Sequence, residues 1–486
     1  MNIALMASEV APFAKTGGLA DVAGALPKYL AECGAAVRVF MPLYRTIKNR
    51  SREFDLRPAT PPLAMNWAGG REDFSVWETR RENVMFHFID KPEYFDRDGL
   101  YGTAAGDYPD NADRFAFFSK ACLEAMRALA FRPDIIHAHD WQSALGLAYK
   151  KFVYNGEPFF EKTKSLFTIH NLGYQGLFDK GILARAGLPA LLFNLDNLEF
   201  FGQVNFLKSG ILYSDAVNTV SVRYSQEIQT EEYGCGLDGL LRSRSSVLFG
   251  VLNGVDYAAW NPETDKFLAA GYSPRDLRGK AMCRQDLLKV FGLSAKGKPV
   301  VGMVSRLAGQ KGLDILVQAL DALLRTGAVL VILGQGEPDI EKALSEAVRT
   351  HPAQLGLKLS FDEGLAHRIY AGSDFFLIPS RYEPCGLTQM YSLKYGTIPI
   401  VRATGGLEDT IWEFDPVVQQ GNGFKFQEYS SGGLLQAAER AFAVKSNAPL
   451  WRSLRTNAMA CDFSWTHSAR KYLELYERIM GQKSAA

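Results

Sequence analysis

The sequence predicts an α/β protein of two domains, each built on a parallel sheet, and three observations carry that reading. Short apolar runs rich in Val, Ile, Leu and Phe recur along the chain, separated by longer segments with helical periodicity. This is the alternation expected when strands buried on both faces of a parallel sheet are joined by covering helices. The pattern runs through the first half and restarts in the second. The length, 486 residues, also exceeds what one hydrophobic core ordinarily organises.

In the first half the candidate strands are Asn2 to Ser8, Ala36 to Met41, Val84 to Ile89, Asp134 to Ala138, Lys164 to Ile169 and Ala216 to Val220. The second half offers Pro299 to Val304, Ala328 to Leu333, Asp374 to Pro379 and Thr397 to Val401. Between them Asn253-Gly254-Val255-Asp256 and Trp260-Asn261-Pro262 form a turn-rich junction, dividing the chain at residues 1–250 and 251–462. From Phe463 to Met480 the spacing of Trp465, Tyr472, Leu473, Leu475, Tyr476 and Ile479 is that of a docking helix rather than a tail.

Composition excludes several classes of function. Hydrophobic residues make up 47% and charged residues 22%, a balance that folds rather than staying disordered. With Lys+Arg 54 against Asp+Glu 53, no global field holds nucleic acid or an acidic membrane, so any anion site must be local. The six cysteines, Cys33, Cys122, Cys235, Cys283, Cys385 and Cys461, show no C-x-x-C pair and read as reduced thiols of a cytoplasmic protein. The start lacks a basic region and meets Glu9 too early for a signal peptide. No apolar run approaches the ~20 residues that span a bilayer.

Five motifs can carry chemistry. Lys15-Thr16-Gly17-Gly18-Leu19 sets a cation beside two glycines just before a helix, where backbone and dipole favour a phosphate. It is neither a P-loop nor the G-x-G-x-x-G fingerprint that a nicotinamide oxidoreductase would need. The fragment Thr-Gly-Gly-Leu-x-Asp returns at Thr404 to Asp409, so two glycine loops open helices after strands. Ser305-Arg306-Leu307 and Gln310-Lys311-Gly312 bring two cations suited to a diphosphate. Arg381-Tyr382-Glu383-Pro384-Cys385-Gly386-Leu387-Thr388 centres one carboxylate in a loop fixed by Pro and Gly, with Thr388 at a helix start. His137-Ala138-His139-Asp140-Trp141 and Ile169-His170-Asn171-Leu172 end buried strands in polar residues. His137 and His139 point the same way on a strand and with His170 or Asp140 could ligate zinc. A sugar-hydroxyl role is the favoured reading, because the spacing matches no standard ligand set and nothing fixes a third ligand, with a satisfied core histidine as the alternative for His137.

Taken together, K-T-G-G-L-A-D, H-A-H-D-W, T-I-H-N-L-G-Y-Q-G, N-G-V-D, S-R-L followed by Q-K-G, and E-P-C-G-L-T-Q resemble bacterial glycogen synthases and plant starch synthases, in the same order along nearly the whole chain. The resemblance implies a GT-B fold, two Rossmann-like domains around a deep cleft, with 463–486 crossing back to the first domain. It implies glucosyl transfer from ADP-glucose to the non-reducing end of an α-1,4-glucan, glycogen or a malto-oligosaccharide, with retention and release of ADP.

Carried over by position, Lys15 is the donor-binding lysine, with Gly18 and Asp21 beside it, and Arg306 and Lys311 face the diphosphate. Glu383 lies at the glucosyl group. Cys385, Gly386, Leu387 and Thr388 form the loop whose threonine contacts a phosphate. His170 and Asp140, with Asn171, lie beside the sugar and acceptor, and Asn253 is a polar contact at the junction. The adenine platform, often tyrosine in relatives, falls on Phe361, which can stack but has no ring hydroxyl. The catalytic set implied is Glu383, His170, Arg306 and Lys311. With cations already fixed at the diphosphate, no divalent metal or other cofactor is needed.

Overall fold

The computed structural model describes residues 1–103 and 105–481; residues 482–486 of the expected terminal segment lie outside them. The chain divides into two compact units. The first comprises residues 1–220, 225–254 and the chain from Trp465 onward, and the second Val255–Ser464 together with Ser221–Tyr224.

The first unit is built on a ten-stranded sheet. Its strands include β1 (Asn2–Met6), β2 (Ala36–Pro42), β3 (Gly70–Arg81), β4 (Val84–Asp90), β5 (Ile135–His139), β6 (Lys164–Ile169), β7 (Ala216–Thr219) and β8 (Leu248–Gly250). The order is β8-β7-β6-β5-β1-β2-β4-β3, with the short strands Arg57–Pro58 and Leu63–Trp67 both pairing with β3. Strands β1, β2 and β4 to β8 pair in parallel, whereas β3 runs antiparallel to β4. Ile3, Ala4, Leu5 and Met6 are completely buried, as a strand covered on both faces requires.

The chain leaves β1 and enters α1 (Gly18–Glu32), and leaves β5 directly into α2 (Trp141–Phe152). Sequence and sheet order part company between β1 and β5. The carboxyl ends there form a topological switch point, the place where such sheets hold ligands.

The second unit has a six-stranded parallel sheet of β9 (Val300–Val304), β10 (Val329–Leu333), β11 (Leu355–Lys358), β12 (Phe375–Ile378), β13 (Ile398–Arg402) and β14 (Phe424–Phe426). Its order is β11-β10-β9-β12-β13-β14, so its switch point lies between β9 and β12. Helix α3 (Arg278–Phe291) precedes the sheet, and α4 (Leu313–Arg325), α5 (Thr388–Lys394) and α6 (Gly405–Thr410) follow β9, β12 and β13. On α4 the residues Leu313, Ile315, Leu316, Ala319, Leu320, Leu323 and Leu324 are buried, a 3.6-residue stripe laid on the sheet.

The expected terminal helix is α7 (Trp465–Ile479). It belongs to the first unit, packs on α1, and buries Trp465, Ala469, Tyr472 and Tyr476. Among the described residues no helix is long and apolar enough to cross a membrane.

Candidate active site

At the first switch point the loop after β1 is shaped by Glu9, a buried carboxylate that the motifs did not single out. It accepts hydrogen bonds from the Thr16 backbone N–H, the Thr16 hydroxyl at 2.6 Å, the Gly17 N–H at 3.2 Å and the Tyr101 hydroxyl at 2.6 Å. This cradle presents the Lys15–Gly18 turn at the start of α1. Lys15 Nζ reaches Asp21 Oδ1 at 2.7 Å, and both side chains stay partly exposed. A pair so exposed adds little stability, so its effect is to aim the ammonium. A Cβ added to Gly17 or Gly18 would meet no protein atom within 4 Å. Internal packing therefore does not demand these glycines, which leave the backbone open to close approach.

Across the switch point Asp140 follows β5 with φ 55 and ψ −179, a backbone region that side chains rarely adopt and that concentrates at functional sites. Its Oδ1 accepts the His170 backbone N–H at 2.7 Å, so Asp140 holds the turn that carries His170 and Asn171. Burial pushes the Asp140 carboxyl up to about 7, opposed by the His170 and Asn171 backbone bonds and reinforced by the Glu9 charge.

The histidines form a row: His139 Nδ1 lies 2.9 Å from His170 Nε2, and the His137 and His139 rings lie 4.0 Å apart. Both His137 nitrogens are engaged by protein, Nδ1 with the Tyr476 hydroxyl at 2.8 Å and Nε2 with Thr168 Oγ1 at 2.5 Å, so this ring has no free nitrogen to ligate a metal. Asn253, near the end of this unit's second segment, is buried, and its Oδ1 has no hydrogen-bonding partner among the described residues.

In the second unit the loops after β9 and β12 are tied together. Gln310 accepts the Arg381 N–H at 2.8 Å through its carbonyl and donates from Nε2 to the Tyr382 carbonyl at 3.2 Å. Lys311 Nζ then bridges both Glu383 oxygens at 3.0 and 2.7 Å, while the Ser380 hydroxyl donates to Oε2 at 2.9 Å. Arg306 Nη2 contacts Gln310 Oε1 at 3.4 Å, which places the second cation on the same assembly.

Gly405 and Gly406 of the repeated fragment press on this loop. The Gly406 N–H donates to the Glu383 carbonyl at 3.0 Å, and Cβ atoms here would run into the Glu383 and Cys385 carbonyl oxygens. Gln389 is fully buried and donates to the Cys385 and Gly386 carbonyls at 3.0 and 2.9 Å. Leu387 precedes α5 and Thr388 opens it; Leu387 makes no side-chain cap. Phe361 lies outside this hydrogen-bonded group, beyond the end of β11, two strands along the sheet from β9, and the residue is 80% exposed.

Known proteins resemble this chain over its full length. Residues 2–243 match the family model described as the starch synthase catalytic domain, and residues 285–450 match glycosyl transferases group 1. A glycogen synthase from Koribacter versatilis is 49% identical over 98% of both chains, and one from Syntrophotalea carbinolica is 47% identical over 99% of both. The chain belongs to the glycogen and starch synthase family.

As a family member it has the GT-B fold, two α/β domains with parallel sheets, and is a glycosyltransferase. Among solved structures, the catalytic domain of starch synthase IV from Arabidopsis thaliana bound to ADP and acarbose matches with a TM-score of 0.90, at 36% identity over 99% of both chains. Beside the family motifs, Glu9, Tyr101 and Ser380 complete the two loops, together with Gln389, the last residue of E-P-C-G-L-T-Q. Glu9 and Ser380 leave only the trace of a polar residue beyond the end of an apolar run, and Tyr101 follows no such run.

Proposed function

We propose that the chain transfers glucose from ADP-glucose to the 4-hydroxyl at the non-reducing end of an α-1,4-glucan, with retention at the anomeric carbon and release of ADP. It would act in the cytoplasm, where its six cysteines, none of them in a disulfide among the described residues, stay reduced. The observation that carries the reading is the Lys311–Glu383 pair at the second switch point, with Arg306 on the adjoining loop.

An ammonium has three donors, so Lys311 can hold Glu383 and still face a phosphate oxygen. As the bond from C1 to the β-phosphate oxygen breaks, charge grows on the leaving diphosphate, and Arg306 and Lys311 stabilise it. The acceptor hydroxyl attacks C1 on the same face and passes its proton to the departing phosphate oxygen. Glu383 is the carboxylate assigned to the glucosyl group, and its Lys311 partner makes it an electrostatic support for oxocarbenium character rather than a nucleophile.

Lys15 serves the donor phosphates, Gly18 and Asp21 shape its turn, and the Thr388 hydroxyl with the Cys385–Leu387 backbone completes the phosphate loop. Phe361 offers its exposed ring to adenine. His170, held by Asp140 and followed by Asn171, contacts sugar hydroxyls, and Asn253 supplies a further polar contact.

The test is transfer of labelled glucose from ADP-glucose or UDP-glucose into glycogen. Label from ADP-glucose is expected in excess, activity is expected to survive EDTA, and newly formed linkages should be α by proton NMR. Absence of transfer from either donor would overturn the assignment.

A further inference from the structure

His139 is completely buried on β5, two residues beyond His137 and on the same face of the strand. One nitrogen, Nδ1, meets His170 Nε2 at 2.9 Å. The other, Nε2, is buried with no hydrogen-bonding partner among the described residues. That asymmetry decides which ring donates. A proton on Nε2 would strand a buried N–H without an acceptor, whereas a proton on Nδ1 strands only a lone pair. Orphaned buried donors are the rarer and costlier case. The His139 Nδ1–H therefore donates, and His170 Nε2 accepts.

Burial keeps both rings neutral, lowering His170 to about 3 and His139 well below the ordinary imidazole range. A neutral imidazole has one ring proton, so a His170 that accepts at Nε2 carries that proton on Nδ1. His139 is itself held in place. Thr168 Oγ1 donates to Asn218 Oδ1 at 2.5 Å, so it accepts from His137 Nε2. His137 Nδ1 then accepts from the Tyr476 hydroxyl. With both nitrogens committed, the His137 ring is a fixed platform 4.0 Å from His139.

We propose that His139 is a positioning residue that fixes His170 in the Nδ1–H tautomer, so that His170 meets the transferred glucose as a hydrogen-bond donor. The inference rests on the reading of His170 as a sugar contact. A donor of fixed direction selects the sugar hydroxyl by its oxygen and leaves that hydroxyl's own proton free to bond elsewhere. Such orientation of one ring by the partner of its other nitrogen is the general way proteins set a histidine's role.

The tautomer is measurable in the unmodified protein. With 15N-histidine labelling of the seven rings, long-range 1H–15N correlations should show His170 protonated at Nδ1 and bare at Nε2, the signals being identified by their loss in His170→Gln. A proton on Nε2 would overturn the proposal whatever the activity, and this measurement requires no variant of His139 to fold. Kinetics give the second arm. His139→Asn keeps an N–H donor and should hold kcat near the wild-type value, whereas His139→Leu should lower kcat about tenfold with the KM for glucan little changed. A His139→Leu protein with wild-type kcat and tautomer would equally defeat the idea. Failure of the underlying reading looks different: His170→Gln would then transfer glucose at the normal rate while the wild-type tautomer stays as described.

Discussion

Gly18 and Gly406 occupy equivalent places in the two copies of Thr-Gly-Gly-Leu, yet their surroundings are opposite. A methyl group on Gly18 would stand in open space, whereas one on Gly406 would strike the Cys385 carbonyl. Gly18→Ala should therefore leave the melting temperature unchanged but raise the KM for ADP-glucose about tenfold, ~1.4 kcal/mol. Gly406→Ala should cost roughly 1–3 kcal/mol of stability through overpacking. Calorimetry with initial-rate kinetics separates the two, and a destabilised Gly18→Ala protein would refute the ligand-approach argument. Lys311 and Glu383 permit a second test. Lys311→Ala should lower kcat about a hundredfold, as for loss of one charge-stabilising donor. Because the pair is in direct contact, adding Glu383→Ala should cost less than the product of the single effects; strictly multiplicative losses would show that the two act independently.

On helix α3, Lys280 is buried and donates to the Ala371 and Tyr395 carbonyls at 2.9 and 3.0 Å and to Thr397 Oγ1 at 2.7 Å. Burial lowers its ammonium to about 7 from an ordinary 10.5. Between those values the unfolded chain holds a proton that the folded chain lacks, so this group makes stability rise with pH from about 7 toward 10.5. Lys280→Met should be less stable, by about 1–3 kcal/mol for the orphaned acceptors, and should show a flatter melting temperature between pH 7 and 9. An unchanged slope would mean that Lys280 keeps its proton throughout.

Elements also differ in how far they could be read from sequence. Residues 3–6 of β1 and all of β10 are continuous apolar runs, and their burial on both faces makes them plain. Strand β3, GREDFSVWETRR, is not: lying towards the antiparallel margin of the sheet, it alternates buried and exposed positions and carries charge, a pattern that looks like surface. The two glycine loops looked alike because sequence records the missing side chain and not what fills the space. Glu9 escaped notice for a similar reason, since a single glutamate reads as exposed until the N–H groups it gathers are known.

At the scale of the molecule, the first unit is assembled from pieces far apart in the chain, and its last piece, α7, is fully integrated. Tyr472 and Tyr476 are completely buried, Asn218 donates to the Tyr472 hydroxyl at 3.2 Å, and the Tyr476 hydroxyl meets His137. Each ring is worth roughly 3–5 kcal/mol on truncation to alanine. A chain ending at Ser464 should therefore lose the calorimetric transition of the first unit, or have it shifted far down, while the second unit, whose core lies within Val255–Ser464, still melts cooperatively. Two intact transitions would contradict this.

The same helix sets an order in time. The ribosome makes β1 and the histidine strand first, yet the hydroxyl that anchors His137 arrives only with Tyr476. The intervening stretch Val255–Ser464 takes on the order of 10–40 s to synthesise at roughly 5–20 residues per second. Throughout that interval the nascent first unit has its sheet but not its closing helix, so a prematurely terminated product would leave the ribosome with the histidine row unanchored. Synthesis of α7 is thus the step that anchors the histidine row.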